Sequence, residues 1–368
     1  MTLYLAALIE RFFLYLWYGN TRLAIVLLPL SWLYQYLAAR RHKRSINTHS
    51  PLPVPVIIVG NITVGGTGKT PVVIALAKAL SAHGHTVGII ARGYGGRAPE
   101  YPFALDATTP AHHSGDEPLL LARETQCPVV VGQDRYAAAA ALLADHPNCS
   151  VIISDDGLQH YRLPRAIEIA VIDGKRGMGN GYCLPAGPLR EPVERLSHVD
   201  HIIVNDGPDE GVVKGLTANF THHSQINVSL QPLQWQHLSD GQCYELLPLP
   251  WVSRSQTKTT GHNVRDESGE RCVAIAAIGH PQRFFTTLAS LGICCEQHSF
   301  PDHYRFSQAD FTQWSDRVVL MTTKDGVKCD TFTMANTWAL KVMIQLPPAW
   351  IERVVVQVAA YSQFAHDN

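Results

Sequence analysis

The sequence has little charge of either sign. Lysine and arginine number 30 and aspartate and glutamate 31 among 368 residues, so the formal net charge is -1 and only 17% of the chain is charged. A near-neutral chain lacks the positive field that attracts a polyanion, and we therefore expect no nucleic-acid partner. Hydrophobic residues make up 46% of the chain, and its length is sufficient for two domains of ordinary size.

Paired cysteines and clustered histidines are also missing. None of the eight cysteines forms a C-x-x-C pair, and none of the 18 histidines belongs to an H-E-x-x-H sequence. The adjacent Cys294 and Cys295 do not have the spacing of metal ligands. These patterns favour reduced thiols in a cytosolic chain and give no sign of a structural metal site.

The N-terminus lacks both a secretory signal and a long apolar run. Glu10 and Arg11 interrupt its start, and no small-residue cleavage site follows. The longest uncharged run, residues 23–39, contains Pro29 and is shorter than the ~20 apolar residues of a spanning helix. What the first 44 residues do contain is nine aromatic residues and six basic residues against one acidic residue.

This composition favours a helical segment at a membrane interface. Tryptophan and tyrosine prefer the headgroup level, and a basic cluster attracts anionic lipid. A spanning helix and a buried helical hairpin packed on the body of the protein are the two alternatives. Residues 1–44 are thus expected to make the protein peripheral or monotopic at a membrane surface, where it would meet a lipidic substrate.

Strand-like and helix-like segments alternate after a proline-rich hinge at residues 50–56. Short apolar runs predict strands at residues 56–59, 86–91, 128–132, 150–156, 167–173 and 201–205. Helical spacing of apolar residues predicts helices at residues 71–83, 117–125 and 135–146. Near-continuous apolar strands between helices predict an α/β fold with a mostly parallel sheet covered on both faces.

The sequence GNITVGGTGKTP, residues 60–71, lies between the first predicted strand and the first predicted helix. It departs from the usual phosphate-binding pattern G-x-x-x-x-G-K-[ST] at Thr63, where a glycine is expected, and it continues directly into Pro71. Neither departure prevents binding, because a threonine with a negative φ is acceptable at the start of the loop and a proline in the first helical turn removes no hydrogen bond. The alternative is a glycine-rich turn without a ligand. The expected nucleotide contacts are Thr63, Val64, Gly65, Gly66, Thr67, Gly68, Lys69 and Thr70.

Particular chemistry is expected of the last two residues of this loop. The Lys69 ammonium group can bridge the β- and γ-phosphates, and the Thr70 hydroxyl can bind Mg²⁺. Asp155 and Asp156 end the strand predicted at residues 150–156. Ligands of open α/β sheets bind at the carboxyl ends of strands, so Thr70 and these acids should converge. The alternative interpretation of Asp155 and Asp156 is an acidic turn after a strand.

Six further stretches occur in a fixed order, namely ARGYGG (91–96), SGDEPLLLA (114–122), DDGLQH (155–160), LPAGPLREP (184–192), GHPQRFF (279–285) and FPDHYRF (300–306). Together with the phosphate loop they closely resemble the tetraacyldisaccharide 4'-kinase family, the lipid A 4'-kinases of Gram-negative bacteria. The resemblance extends from the apolar N-terminus to about residue 328. It implies Mg²⁺-dependent transfer of the γ-phosphate of ATP to the 4'-hydroxyl of an acylated disaccharide 1-phosphate. The product would be lipid IVA, formed at the cytoplasmic face of the inner membrane.

The resemblance also implies roles for individual residues. Asp116 would be the general base, and His303 would orient it or adjust its pKa. Lys69 would act on the transferred phosphate. The residues implied in Mg²⁺ binding, besides Thr70, are Asp155 or Asp156 and Glu191. The arginines implied in binding ATP or the substrate phosphate are Arg92, Arg135 and Arg190.

Simpler interpretations of these residues stay open. Asp116 could cap a helix, His303 could be an ordinary loop histidine, and the arginines could bind carbonyl groups or lie at the surface. Gln159 and His160 receive no role. In TTKDGVK, residues 322–328, a threonine stands at position 323 where the family usually has an acid. No role is therefore assigned to Lys324 or Asp325.

The organisation expected from these patterns is a P-loop NTPase-type, mostly parallel sheet with flanking helices, a smaller C-terminal α/β domain and an N-terminal apolar helical segment. Polar sequence separates the two domains, and strands are expected in the second at residues 318–321 and 354–358. The predicted boundaries are 1–49 for the membrane-interface segment, 50–209 for the kinase core, 210–271 for an irregular connection and 272–368 for the C-terminal domain. A soluble P-loop kinase for a polar metabolite and a non-catalytic, nucleotide-gated membrane-binding protein are the alternative functions.

Overall fold

The computed structural model describes residues 12–19, 22–45, 51–106, 108–207, 224–251, 272–329, 332 and 335–366. These residues form two sheets, one of eight strands and one of six. The fold class is the α/β arrangement predicted from the sequence.

The first sheet has the order β3-β4-β2-β5-β1-β6-β7-β8, and all of its strands are parallel except β3 at one edge. The strands are β1 (Val56–Gly60), β2 (Val87–Ala91), β3 (Phe103–Ala104), β4 (Val129–Val131), β5 (Val151–Asp155), β6 (Ile167–Asp173), β7 (His201–Asn205) and β8 (Ser224–Val228). Alternate residues of β1 enter opposite core clusters, Ile57 and Val59 on one side and Ile58 on the other. Both faces of this sheet are therefore covered, which explains its continuously apolar strands.

Residues 12–18 are helical, and nine further α-helices are numbered among the described residues. Their bounds are α1 (Leu28–Ser45), α2 (Lys69–Ala82), α3 (Ala111–Ser114), α4 (Asp116–Thr125), α5 (Arg135–Asp145), α6 (Pro281–Ser290), α7 (Gln308–Phe311), α8 (Thr323–Gly326) and α9 (Pro348–His366). Residues 22–27 form a 3₁₀ turn that leads into α1. Helix α2 begins at Lys69, two residues earlier than predicted, because Gly68 in the left-handed conformation starts it.

The second sheet has the order β10-β9-β14-β13-β11-β12. Its strands are β9 (Leu230–His237), β10 (Cys243–Tyr244), β11 (Cys272–Ala276), β12 (Cys295–Ser299), β13 (Val319–Thr322) and β14 (Thr337–Ile344). Strands β8, β9 and β10 lie within residues 210–271, so this region differs from the irregular connection that the polar sequence predicted. Strands β8 and β10 are edge strands of the two sheets, and in β8 and β9 exposed residues alternate with more buried ones, which gives this region its polar sequence.

The prediction of a strand at residues 354–358 was wrong, because these residues belong to helix α9. Three consecutive valines favour a strand by local propensity, but burial follows the helical period. Trp350, Val354 and Val358 are fully buried, whereas Val356 is 66% exposed. The buried face of α9 joins the core that α2 forms against the first sheet. Helix α9 thus contributes to the core of the first sheet, although β14, the strand before it, belongs to the second.

Replacing Trp350 with alanine is expected to lower the free energy of unfolding by about 3–5 kcal/mol, the usual effect of removing a buried tryptophan. The indole also donates a hydrogen bond from Nε1 to His201 Nδ1 at 3.1 Å, which the variant would lose. Urea unfolding measures the change. Val356→Ala on the exposed side of the same helix is the control and should stay within about 0.5 kcal/mol of the wild type. Equal effects of the two substitutions would contradict this packing.

The described residues of the N-terminal segment, 12–19 and 22–45, contact the rest of the protein along one side. Trp17 Nε1 donates to the carbonyl of Pro185 at 2.9 Å, and Ser31 Oγ donates to that of Cys183 at 2.8 Å. On the other side Val26 is 75% and Trp32 is 65% exposed. Residues 22–44 are long and apolar enough to cross a membrane by length and composition, and 11% of their apolar window is buried in the protein. A hairpin buried on the body of the protein does not describe this segment.

Candidate active site

The carboxyl ends of the parallel strands in the two sheets face each other. Gly279, which follows β11, is so close to the phosphate loop that a β-carbon added to it would lie 3.4 Å from the backbone nitrogen of Gly66. Arg283 of α6 forms an ion pair with Asp206, which follows β7, at 2.8 Å. The predicted site residues come from loops at these two edges, and they are therefore brought together in one region.

The phosphate loop leaves β1 at Gly60 and returns as α2. Gly65 and Gly68 have φ angles of +105° and +83°, which suit glycine, and they turn the chain over a short distance. Gly65 and Gly66 are exposed at the top of the loop, whereas Thr63 and Thr67 are buried below it. Asn205 supports the loop from β7, because its side-chain amide donates to the carbonyl of Thr67 at 3.1 Å. Its polar side chain at the end of an apolar strand is the sequence signal for this role.

Replacing Gly68 with alanine is expected to weaken ATP binding at least tenfold, because the new β-carbon would lie 2.0 Å from Asn205 Nδ2. The collision would displace Asn205 and release the loop. Gly84→Ala is the matched control, since Gly84 has a similar φ of +87° with nothing within 4 Å of an added β-carbon among the described residues. That variant should lose roughly 1 kcal/mol of stability and keep its affinity for ATP. Equilibrium binding of a fluorescent ATP analogue compares the two, and equal affinities would disprove the role of Asn205.

Lys69 is held at the mouth of the loop by two side chains. Its ammonium group donates to Asn61 Oδ1 at 3.1 Å and forms an ion pair with Asp156 at 3.4 Å. Arg190 binds the same carboxylate, with Nη1 at 3.0 Å from both oxygens. Burial alone would raise the pKa of Asp156, but Lys69 and Arg190 together lower it to about 2. Asp156 is therefore an anion that positions two cations beside the loop.

Asp155 differs from its neighbour because no lysine or arginine in the described part of the chain forms an ion pair with it. It lies beside Val59 in the register of β5 and β1, and among the described residues its Oδ1 is buried without a hydrogen bond. Burial raises its pKa, and the nearby charge of Glu117 raises it further.

Arg135 is also buried, and its guanidinium donates to the carbonyls of Gly132 and Asp155. Burial lowers the pKa of Arg135 to about 10, and these contacts fix the backbone of the acidic pair.

Glu191 is hydrogen bonded through both of its carboxylate oxygens. Gln159 Nε2 donates to Oε2 at 2.7 Å, and the Tyr161 hydroxyl donates to Oε1. Gln159 also donates to the carbonyl of Asn61 at 3.1 Å and accepts from Arg190 at 3.4 Å. No sequence pattern assigned a role to Gln159, whereas in the structure it links Glu191, the phosphate loop and Arg190.

Asp116 and His303 meet across the two edges. His303 Nδ1 lies 2.9 and 3.0 Å from the two carboxylate oxygens of Asp116, which is only 5% exposed. Gly115, not Asp116, occupies the N-cap position of α4, and no side chain caps that end. Burial raises the pKa of Asp116, but the hydrogen bond from His303 and the charge of Lys324 together hold it below its usual value. Burial lowers the pKa of His303, yet the bond to Asp116 leaves it raised overall. The pair is therefore an ionised carboxylate that faces a histidine with an increased affinity for protons.

Three charged residues beside this pair were missed in the sequence. Lys324 Nζ donates to Glu117 Oε1 at 2.9 Å and to Asp302 Oδ1 at 3.4 Å, and it lies 3.9 Å from Asp116 Oδ2. No local pattern signals contacts between residues so far apart in the chain. Their only signal is adjacency, because Glu117 and Asp302 flank the two residues that the family resemblance implied.

The other predicted or unassigned residues lie at the edge of this region. Arg92 is exposed, and among the described residues it has neither a hydrogen bond nor an ion pair. Its charge and that of Arg135 act on His160, whose pKa is lowered to about 4 mainly by burial. His160 is therefore neutral near pH 7. Arg92 is the one predicted arginine with a free guanidinium in the described part of the chain.

The chain matches one family model over most of its length. The family model for tetraacyldisaccharide-1-P 4'-kinase matches residues 23–359. The chain is 43% identical to the tetraacyldisaccharide 4'-kinase of Nitrosococcus oceani, with 92% of each chain covered, and 42% identical to that of Hahella chejuensis, with 92% of this chain and 94% of the other covered. A crystal structure of LpxK from Aquifex aeolicus in complex with ATP is 28% identical and has a TM-score of 0.70, covering 91% of this chain and 99% of that one.

The family match covers most of the chain, and the curated relatives are matched over nearly their whole length. The fold agrees as well, since the similarity to the ATP-bound structure extends over both sheets. The resemblance stated from the sequence motifs is confirmed. The chain belongs to the tetraacyldisaccharide-1-P 4'-kinase family.

Proposed function

We propose that the chain transfers the γ-phosphate of ATP to the 4'-hydroxyl of an acylated glucosamine disaccharide 1-phosphate where the carboxyl ends of its two sheets meet. Family membership makes it a kinase of lipid A biosynthesis, and the product would be lipid IVA. The contact between Asp116 and His303 at 2.9 Å carries the proposal for the site. It gives a buried, ionised carboxylate close to a phosphate loop, as proton abstraction during phosphoryl transfer requires.

The residues of the site would each contribute to one part of the phosphoryl transfer. Backbone N–H groups of the loop and the start of α2 would bind the ATP phosphates, and Lys69 would leave Asp156 to neutralise charge on the transferred group. Arg190 and the exposed Arg92 would bind the phosphates of ATP or of the substrate. The carboxylate of Asp116 would accept the proton of the attacking 4'-hydroxyl, and His303 would hold that carboxylate in position.

A magnesium ion fits the residues present. The buried Oδ1 of Asp155 has no hydrogen-bond partner in the described structure, and a divalent cation would satisfy it while lowering the raised pKa of this carboxyl group. Among the described residues no group of three histidine, cysteine or acidic ligands exists, which suits a cation held by Thr70, one carboxylate, phosphate oxygens and water. When bound, the ion would neutralise charge on the β- and γ-phosphates. The involvement of Glu191 stays a prediction.

The exposed side of α1 supports attachment to the cytoplasmic face of the inner membrane. Trp32 and Tyr36 are 65% and 62% exposed there, and the helix ends in the basic sequence RRHKR. The same helix reaches the site, because the Tyr34 hydroxyl donates to the carbonyl of Arg190 at 3.0 Å. A lipid substrate held at the surface would thus lie next to the residues that bind phosphate.

Trp32→Asp is expected to weaken binding to vesicles of mixed neutral and anionic phospholipid by tenfold or more, because it removes a large apolar group from the contact surface and adds an unfavourable charge. Sedimentation of the protein with such vesicles measures the effect. Val356→Asp is the matched control, since Val356 is equally exposed on α9, and it should bind as the wild type does. If Trp32→Asp also bound like the wild type, α1 would not be the membrane contact.

The function is tested by incubating the protein with labelled ATP, Mg²⁺ and tetraacyldisaccharide 1-phosphate in detergent micelles. The expected product carries a new phosphate on the 4'-oxygen, identified by mass spectrometry and NMR. The deacylated, water-soluble disaccharide is the matched acceptor and should react poorly. Equal use of both acceptors would instead favour a soluble kinase for a polar metabolite.

A further inference from the structure

Lys324 lies between the two halves of the site. Its ammonium group faces Glu117 and Asp116 from α4, beside the first sheet, and Asp302 from the loop after β12 in the second sheet. Its side chain is 17% exposed. One cation therefore joins two carboxylates of α4 to a third carboxylate in the loop after β12.

The backbone that carries Lys324 is held firmly. Thr322 caps α8 by accepting the N–H of Asp325 at 3.1 Å. Asp325 is fully buried, and its Oδ2 accepts the N–H of Ala277 at 3.1 Å and the Thr322 hydroxyl at 2.7 Å. These bonds fix α8 to the carboxyl ends of β11 and β13. Asp325 thus anchors the short helix, and Lys324 points across to α4.

The charged and titratable groups around Asp116 come from three places, and they are Glu117 on α4, Asp302 and His303 in the loop after β12, and Lys324 and Lys328 from α8 and the turn after it. Without Lys324 the three carboxylates would face one another with less compensating charge. Like charges at a desolvated site repel and raise each other's pKa. Lys324 is thus one of the groups that keep Asp116 ionised and the two loops together.

We propose that Lys324 is a positioning residue for phosphoryl transfer, whose ammonium group holds the carboxylate of Asp116 and the loop of His303 in the arrangement that accepts the substrate proton. The inference rests on the proposed function and adds one residue to it. Lys324 acts through Asp116, so its loss should affect kcat more than the binding of ATP. A purely structural ion pair would instead change stability alone.

The test compares Lys324→Met, Lys324→Arg and the control Lys78→Met, which removes an exposed ion pair with Glu124 on the far end of α4. We would measure kcat and KM for ATP and for the lipid in micelles from mildly acidic to mildly alkaline pH. Lys324→Met should lower kcat by roughly 10- to 100-fold with KM for ATP within about twofold, the pattern of a lost transition-state interaction. The acid limb of the kcat–pH profile of this variant should move up by about one pH unit, because loss of the Lys324 charge raises the pKa of Asp116. Lys324→Arg should restore most of kcat, and Lys78→Met should match the wild type.

An unchanged kcat and pH profile in Lys324→Met would refute the proposal, and so would a defect explained entirely by weaker ATP binding. Should Lys324→Met fail to fold, Lys324→Gln replaces it, because the glutamine amide can still donate a hydrogen bond to Glu117 and so support the fold. Lys324→Gln should also lower kcat, since it removes the positive charge. A wild-type protein that phosphorylates no lipid would overturn the proposed function and this inference together. An active wild type with unaffected variants would overturn only the role of Lys324.

Discussion

Replacing Asp116 with asparagine is expected to lower kcat by ~10²- to 10⁴-fold, the usual contribution of a general base, while ATP still binds. The amide has nearly the same shape as the carboxylate and can keep a contact with His303, but it cannot accept the proton of the attacking hydroxyl. Single-turnover phosphoryl transfer to the lipid acceptor measures the loss. A separate titration with an ATP analogue should give an unchanged dissociation constant.

Asp134→Asn supplies the matched control. Asp134 is a true helix cap, whose carboxylate accepts the N–H groups of Tyr136 and Ala137 at 2.9 and 3.1 Å, and asparagine caps a helix about as well. That variant should keep both activity and stability. If Asp116→Asn behaved in the same way, Asp116 would be a structural residue at the start of α4, and the base would have to be found elsewhere.

Replacing Lys69 with alanine is the second substitution with a large expected effect. Removing one preorganised group that stabilises developing charge costs ~10²–10³ in kcat. ATP affinity should fall as well, because Lys69 also contacts phosphate before transfer. Loss of Lys69 leaves Asp156 with Arg190 as its remaining cation in the described structure. Initial rates at saturating ATP separate the effect on kcat from the effect on binding.

Lys78→Met is the control on the same helix, because Lys78 is mostly exposed and pairs only weakly with Glu124 at 3.5 Å. It should leave both constants unchanged. Lys69→Arg should not restore activity, since the planar guanidinium is larger and would bind Asp156 in a different geometry. Wild-type rates in Lys69→Ala would exclude the phosphate loop from the chemistry.

The parts of the fold that were predictable are those set by local sequence. Six strands of the first sheet are mostly apolar runs, so their positions could be predicted from the sequence to within one or two residues. The phosphate loop combines a fixed spacing with a defined context. The acids after β5 follow from the general rule that parallel sheets place their chemistry at carboxyl ends.

The parts that were missed depend on tertiary contacts. The valines of α9 have the propensity of a strand, and only the burial of Trp350, Val354 and Val358 on one side makes them helical. Lys324 meets Glu117 across 207 residues of sequence, and no periodicity encodes such a pair. The contact between Asp116 and His303 was expected from family resemblance rather than from spacing, because 187 residues separate them.

The packing of α9 has a consequence for synthesis of the protein. Strands β1 to β8 and helix α2 emerge from the ribosome long before residues 348–366 do, yet Trp350, Val354 and Val358 complete the core that they share. Domains generally fold as units in the order of their synthesis, but the core of the first sheet is complete only when helix α9 packs against it. A nascent chain therefore carries an uncovered apolar surface until residues 348–366 have been synthesised. A premature stop codon before residue 348 would remove no residue of the phosphate loop, and yet it would deny that loop a completed scaffold.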